Sequence, residues 1–133
     1  MTAVFADTFY FLALLNEKDD QHESVVALSA SLTRPLITTG FVLTELADGL
    51  ADTPGRVLFA PFVARFRADP RASVVPASSE LFEEAMHMYD ERDDKEWSLT
   101  DCVSFITMTD RGITEALTAD HHFEQAGFVA LLK

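Results

Sequence analysis

From Met1 to Leu15 the chain carries a single charge, Asp7, set inside Thr2-Ala3-Val4-Phe5-Ala6-Asp7-Thr8-Phe9-Tyr10-Phe11-Leu12. Ala3 to Ala6 reads as a short buried strand, and Thr8 to Leu15 as the helix that follows it. Burying an isolated carboxylate costs several kcal/mol, of the order of the net stability of a small domain. Asp7 therefore needs a partner: a base, a helix N-terminus or a metal ion. No basic residue precedes Lys18, so a base could come only from further along the chain.

Downstream, strand signals alternate with helix signals. Asp19 or Asp20 can cap a helix running to about Leu32, which Arg34-Pro35 ends. Leu36 to Thr39 is β-rich, and a helix follows from about Phe41 to Leu50, with Leu43, Leu46 and Leu50 on one side. Thr53-Pro54-Gly55 opens a further helix, whose Phe59, Phe62, Val63 and Phe66 form a stripe ended by Asp69-Pro70. Ala72 to Val75 is the third strand. Ser78 or Ser79 caps a helix from Glu80 to about Arg92, with Leu81, Ala85, Met88 and Tyr89 inward. After the charged loop Asp90 to Glu96 come a helix from Ser98 to about Arg111, a strand from Glu115 to Thr118, a short helix from Asp120 to Ala126 and a strand from Phe128 to Leu132. This alternation predicts a parallel sheet with helices on both faces, and such sheets bind ligands beyond the carboxyl ends of their strands. Asp7 and Asp120 fall at two of those ends.

The 133 residues suffice for one domain spanning 1–133, and a chain that is 48% hydrophobic with eleven Phe is globular rather than disordered. One Cys excludes a disulfide framework and a cysteine zinc cluster, and suits a reducing cytoplasmic setting. Met1 to Leu15 has no basic n-region and is too short and interrupted to span a membrane. A net charge of −12 argues against broad electrostatic binding of nucleic acid. It leaves a nuclease open, because a carboxylate-rich cleft is what a divalent cation requires.

Four acids stand out, and each has an ordinary structural reading beside a functional one. Asp7 can cap the first helix. Glu45 can be a helix-edge residue, with Asp48 one turn on in its place. Asp101 occupies the N3 position behind Ser98 in Trp97-Ser98-Leu99-Thr100-Asp101-Cys102, a capping box with a candidate staple between Trp97 and Cys102. No charge follows it from Cys102 to Thr109, so that helix is buried and takes Asp101 inward with it. Asp120 can cap the last short helix. The adjacent His121 and His122 read as a surface pair rather than ligands, and Arg65, Arg67 and Arg71 as a solvated helix end. Together, three or four converging carboxylates repel unless cations neutralise them, and all-oxygen ligation suits Mg²⁺ or Mn²⁺.

With these residues in place the sequence resembles a PIN domain of the VapC type, the toxin ribonuclease of toxin–antitoxin pairs. The resemblance rests on Val4-Phe5-Ala6-Asp7-Thr8, Leu43-Thr44-Glu45-Leu46, Asp94 to Cys102 and Ala116 to Phe123 with Ala126-Gly127-Phe128. It spans nearly the whole chain. It implies a compact three-layer α/β/α fold with a five-stranded parallel sheet, and a cluster of Asp7, Glu45, Asp101 and Asp120 that binds Mg²⁺ or Mn²⁺ and cleaves RNA. Thr8 and Thr100 match supporting hydroxyl positions. A homodimer partner and a protein antitoxin are the implied protein partners, and the apolar stripe around Leu58, Phe59, Phe62, Val63 and Phe66 is expected to be covered in part by another chain. Against twenty-two acids the chain has ten Lys and Arg. That scarcity supports a rival reading as a PIN-like binding or assembly module that does not cleave. A phosphoacceptor receiver domain is set aside, because the third strand ends Val74-Val75-Pro76 without the Asp it needs.

Overall fold

The computed structural model describes residues 1–133. Its elements run β1 (Val4–Ala6), α1 (Thr8–Leu15), α2 (His22–Ser31), β2 (Leu36–Thr39), α3 (Gly40–Leu50), a 3₁₀ turn (Pro54–Leu58), α4 (Phe59–Ala68), β3 (Ala72–Val75), α5 (Ser79–Glu91), α6 (Leu99–Asp110), β4 (Glu115–Leu117), α7 (His121–Gln125) and β5 (Val129–Ala130). All pairings are parallel, in the order β3-β2-β1-β4-β5. The chain builds outward from β1 to β3 and then crosses back to lay β4 against the other side of β1. The switch in winding direction therefore opens a crevice at the carboxyl ends of β1 and β4.

Val4, Phe5 and Ala6 are all fully buried. Successive strand residues face opposite sides, so helices cover both faces of the central strand. On one side of the core Phe11 meets Phe62 and Phe66 edge-on, at ring separations of 5.5 and 5.6 Å. Phe105 anchors another part, against Trp97 and Phe123 at 5.0 Å each. Two helices end by one device. Gly112 and Gly127 take positive φ, and the next residues reach back as Ile113 N–H to the Met108 carbonyl (2.9 Å) and Phe128 N–H to the Phe123 carbonyl (3.0 Å). Any side chain at those φ values is strained, so glycine fits both stops.

Several local expectations are corrected. α2 begins at His22, because Asp19 spends its carboxylate on the Gln21 N–H (2.8 Å) in a turn rather than on a helix end. Pro54 and Gly55 open a 3₁₀ turn, with Thr53 accepting from the Gly55 N–H, and α4 starts only at Phe59. Tyr89 points outward, 55% exposed, while Ala85 alone of α5 is fully buried. The stripe on α4 is not a vacant surface: Phe62, Val63 and Phe66 are buried, the two rings against Phe11 of α1, and of the large apolar side chains there Val57 and Leu58 stand exposed. β5 is short, yet the ladder continues, with Leu131 N–H on the Ala116 carbonyl and Leu132 N–H on the Thr118 carbonyl. No helix is long and apolar enough to cross a membrane.

Candidate active site

Asp7 follows β1 directly and is 6% exposed. Its carbonyl accepts the Tyr10 N–H (3.1 Å), so its backbone starts α1, but its carboxylate makes no capping bond. Instead Thr118 donates its hydroxyl to Asp7 Oδ2 at 2.8 Å. The same Thr118 oxygen accepts the Asp120 N–H at 3.1 Å, so one buried hydroxyl ties the end of β1 to the start of α7. Thr38, also buried, donates to the Ala6 carbonyl (2.8 Å) and fixes the backbone just ahead of Asp7.

Glu45 rides on α3, half-buried, and accepts the Thr8 hydroxyl at 2.5 Å. Asp101 closes a complete capping box: Ser98 Oγ accepts the Asp101 N–H (3.0 Å), and Asp101 Oδ2 accepts the Ser98 N–H (3.1 Å). Asp120 caps α7 by accepting the His122 N–H at 2.9 Å. Capping and convergence therefore coexist. The staple anticipated for Trp97 takes another form, an edge-on contact with Phe105. Thr100 is half-buried in the first turn of α6, and its hydroxyl makes no hydrogen bond within the chain.

The histidines depart from the surface-pair expectation. His122 turns inward, with Nδ1 at 3.0 Å from Asp101 Oδ2 and 3.5 Å from Asp120 Oδ1. His121 stays outside, 3.7 Å from Asp120 and 64% exposed. Donor atoms of Asp120, His121 and His122 lie within 4.8 Å of one another. Adjacent helical residues normally diverge, but α7 is a single short turn whose start Asp120 pins, and both rings lean over that cap at a centroid separation of 4.5 Å.

No Lys or Arg pairs with any of the four acids. The ion pairs they form are Arg34–Glu115, Arg71–Asp69, Arg92–Asp94 and Lys133–Glu124. Arg71 precedes β3, at the amino end of the sheet, and also donates to the Leu32 carbonyl. Burial pushes Asp7 up to about 7, against the restraining bonds from Thr118 and the Thr8 N–H, and the charges of Asp101 and Glu45 add to the rise. Burial likewise raises Asp101, aided by the charge of Asp120 and opposed by Ser98 and His122. The chain thus supplies Asp7 with hydroxyl and amide donors but with no base. The donor set fits a hard divalent ion: Glu45 Oε2, Asp101 Oδ1 and Asp120 Oδ2 accept no hydrogen bond from the protein, while the opposite oxygen of each is tied down.

A well-formed cavity lies elsewhere. It encloses about 530 Å³ between α5, α6 and α7, with Met88, Trp97, Phe105 and Phe128 in its lining. Asp7 and Asp120 instead follow the carboxyl ends of β1 and β4, at the sheet's switch point.

The model of the PIN domain matches residues 4–129. The chain belongs to the PIN domain family. It is 32% identical over 126 residues, 95% of each chain, to the 23S rRNA-specific endonuclease VapC20 of Mycobacterium tuberculosis strains CDC 1551 and H37Rv. The crystal structure of M. tuberculosis VapC20, a Sarcin-Ricin loop cleaving toxin, superposes with a TM-score of 0.84 at 30% identity, covering 96% of this chain and 98% of that one. FitAB bound to a DNA fragment (TM-score 0.69, 18% identity) and DNA-bound VapBC from Salmonella typhimurium (0.62, 16%) share the fold. The chain is accordingly a PIN-domain endonuclease, in a family whose nucleases depend on divalent metal. The five-stranded parallel sheet was legible beforehand. Thr118 and His122 were not assigned to the site, although the Thr-x-Asp pattern around Asp120 held the signal for the first.

Proposed function

We propose that this PIN domain is a Mg²⁺- or Mn²⁺-dependent endoribonuclease acting on a structured ribosomal RNA hairpin, as the toxin of a toxin–antitoxin pair. One observation carries the reading: Asp7, Glu45, Asp101 and Asp120 converge at the switch point with no Lys or Arg among them, and burial raises Asp7 to about 7. A repulsive buried cluster without a base is costly unless a cation is its working partner. The ribosomal target follows from the 32% identity to VapC20, which covers 95% of the chain.

In this reading Asp7 and Asp101 hold the ion, and Glu45 and Asp120 complete the cage or orient water. Thr8 and Thr118 fix two of the carboxylates by their hydroxyls, and Thr100 borders the same opening. A divalent cation, when bound, supplies a more acidic attacking water and neutralises charge at the phosphodiester. The chain offers no nucleophile of its own here, since burial and the Asp101 charge push the one thiol, Cys102, up to about 11. Protein partners are an antitoxin and a second copy of the chain, and light scattering of the isolated and co-expressed protein checks both.

The test is cleavage of 23S rRNA and of an isolated sarcin–ricin hairpin, mapped by primer extension, with Mg²⁺, Mn²⁺ or EDTA. EDTA-sensitive cleavage at one site, lost in Asp7→Asn and Asp101→Asn, is the expected result. Metal binding without cleavage of any RNA favours the non-cleaving module, which the excess of acids over bases supports.

A further inference from the structure

We infer that His122 is a positioning residue, whose Nδ1–H holds Asp101 and whose backbone N–H holds Asp120, so that each presents its unencumbered oxygen to the divalent ion. The inference rests on the metal-dependent reading above. Nδ1 lies 3.0 Å from Asp101 Oδ2 and 3.5 Å from Asp120 Oδ1. A carboxylate only accepts, so Nδ1 carries the hydrogen. His122 also grips Asp120 through its backbone, donating its own N–H to Oδ1 at 2.9 Å. A single residue thus ties two acids from different elements, Asp101 on α6 and Asp120 ahead of α7.

The oxygens it uses matter. On Asp101 both hydrogen bonds, from His122 and from the Ser98 N–H, fall on Oδ2, which leaves Oδ1 free. On Asp120 the contacts fall on Oδ1, which leaves Oδ2 free. The imidazole is therefore not a ligand through Nδ1, because that nitrogen is committed to Asp101. Its side chain is 18% exposed, against 64% for His121, which reaches Asp120 at 3.7 Å and has no contact with Asp101. The neighbour is an internal control of the same chemical type.

Partners of ligating groups, when removed, typically cost 10–100-fold in metal affinity or activity. The experiment is Mn²⁺ titration of metal-stripped protein by calorimetry, with melting curves alongside, for wild type, His122→Ala, His122→Asn and His121→Ala. Cleavage of the hairpin is followed in the same four proteins. We expect His122→Ala to bind Mn²⁺ 10–100-fold more weakly and to lose kcat with KM for RNA unchanged. His122→Asn, whose amide can donate near the same point, recovers most of both. His121→Ala stays close to wild type. Equal or tighter Mn²⁺ binding by His122→Ala, or no recovery in His122→Asn, overturns the clamp. If wild type itself binds no Mn²⁺, the metal-dependent reading falls first, and the titration separates the two failures.

Discussion

The two halves of the site hold their carboxylates by different means. Asp7 and Glu45 are fixed by threonine hydroxyls, Thr118 and Thr8, which carry no charge. Asp101 and Asp120 are fixed by backbone N–H groups at helix starts and by the His122 imidazole. On the second side, holding the acid also secures the fold, since both acids serve as caps. On the first side it does so less: Asp7 gives α1 its backbone carbonyl, and its carboxylate meets only the Thr8 N–H at the helix start. The Asp101 carboxylate therefore completes a capping box, which the Asp7 carboxylate does not.

Exchanging each acid for its amide breaks this comparison most directly. Asp7→Asn is expected to abolish cleavage, by 10³-fold or more (about 4 kcal/mol of lost transition-state stabilisation). It should also raise the melting temperature of metal-free protein at pH 8. A carboxyl moved from 3.8 to about 7 withholds up to about 4 kcal/mol from the folded state once ionised, and the amide removes that cost while still accepting the Thr118 hydroxyl. Asp101→Asn should lose as much activity but lose stability too, by roughly 0.5–2 kcal/mol, because it weakens a capping box. Equal stability changes in the two variants, measured by urea unfolding, would erase the distinction.

The next largest effect is the pH dependence of metal-free stability. Between about pH 4 and 7 the folded chain keeps the Asp7 proton that the unfolded chain has released. The folded state then binds more protons, so stability is highest below the unfolded pKa and falls as pH rises towards 7. Asp101, also raised, acts with the same sign. Urea midpoints from pH 4 to 8 should decline, and decline less in Asp7→Asn. Saturating Mn²⁺ should flatten the curve by favouring the ionised forms. A midpoint that climbs across this range contradicts the burial-driven shift.

Thr118 is the joint between the halves, since its hydroxyl donates to Asp7 and accepts from Asp120. Thr118→Ala should cost about 1–3 kcal/mol of stability, by leaving the Asp120 N–H without its acceptor, and roughly tenfold or more in cleavage. Thr118→Ser keeps the hydroxyl and should recover most of the cleavage. A serine variant as impaired as alanine would mean that packing of the methyl, not the hydrogen bond, is what Thr118 supplies.

What the sequence disclosed follows the same divide. Local signals held: the Ser98–Asp101 capping box and the alternation of strands with helices rest on residues near one another in the chain. The four acids stood out because each interrupts apolar sequence. What stayed hidden depends on pairing across long separations. Thr118 reaches Asp7 only because β4 lies beside β1, and nothing local to either residue says so. Phe62 and Phe66 read as a surplus apolar face until Phe11 was found against them. His122 was missed because a general rule about neighbouring residues fails on a helix only one turn long and pinned by its cap.

Thr100 gives the smallest effect and the sharpest contrast with Thr8. Both were matched to supporting hydroxyl positions, yet Thr8 bonds Glu45 while the Thr100 hydroxyl has no partner in the chain. Thr8→Val should therefore lower stability by about 0.5–1.5 kcal/mol along with cleavage. Thr100→Ala should leave stability within about 0.5 kcal/mol of wild type, since it removes no internal contact of note. Its cleavage should fall by less than tenfold. A larger fall with stability unchanged would assign the Thr100 hydroxyl to the bound RNA or its water, a contact made only when the site is filled. Unfolding curves and single-turnover cleavage on the same preparations decide between these outcomes.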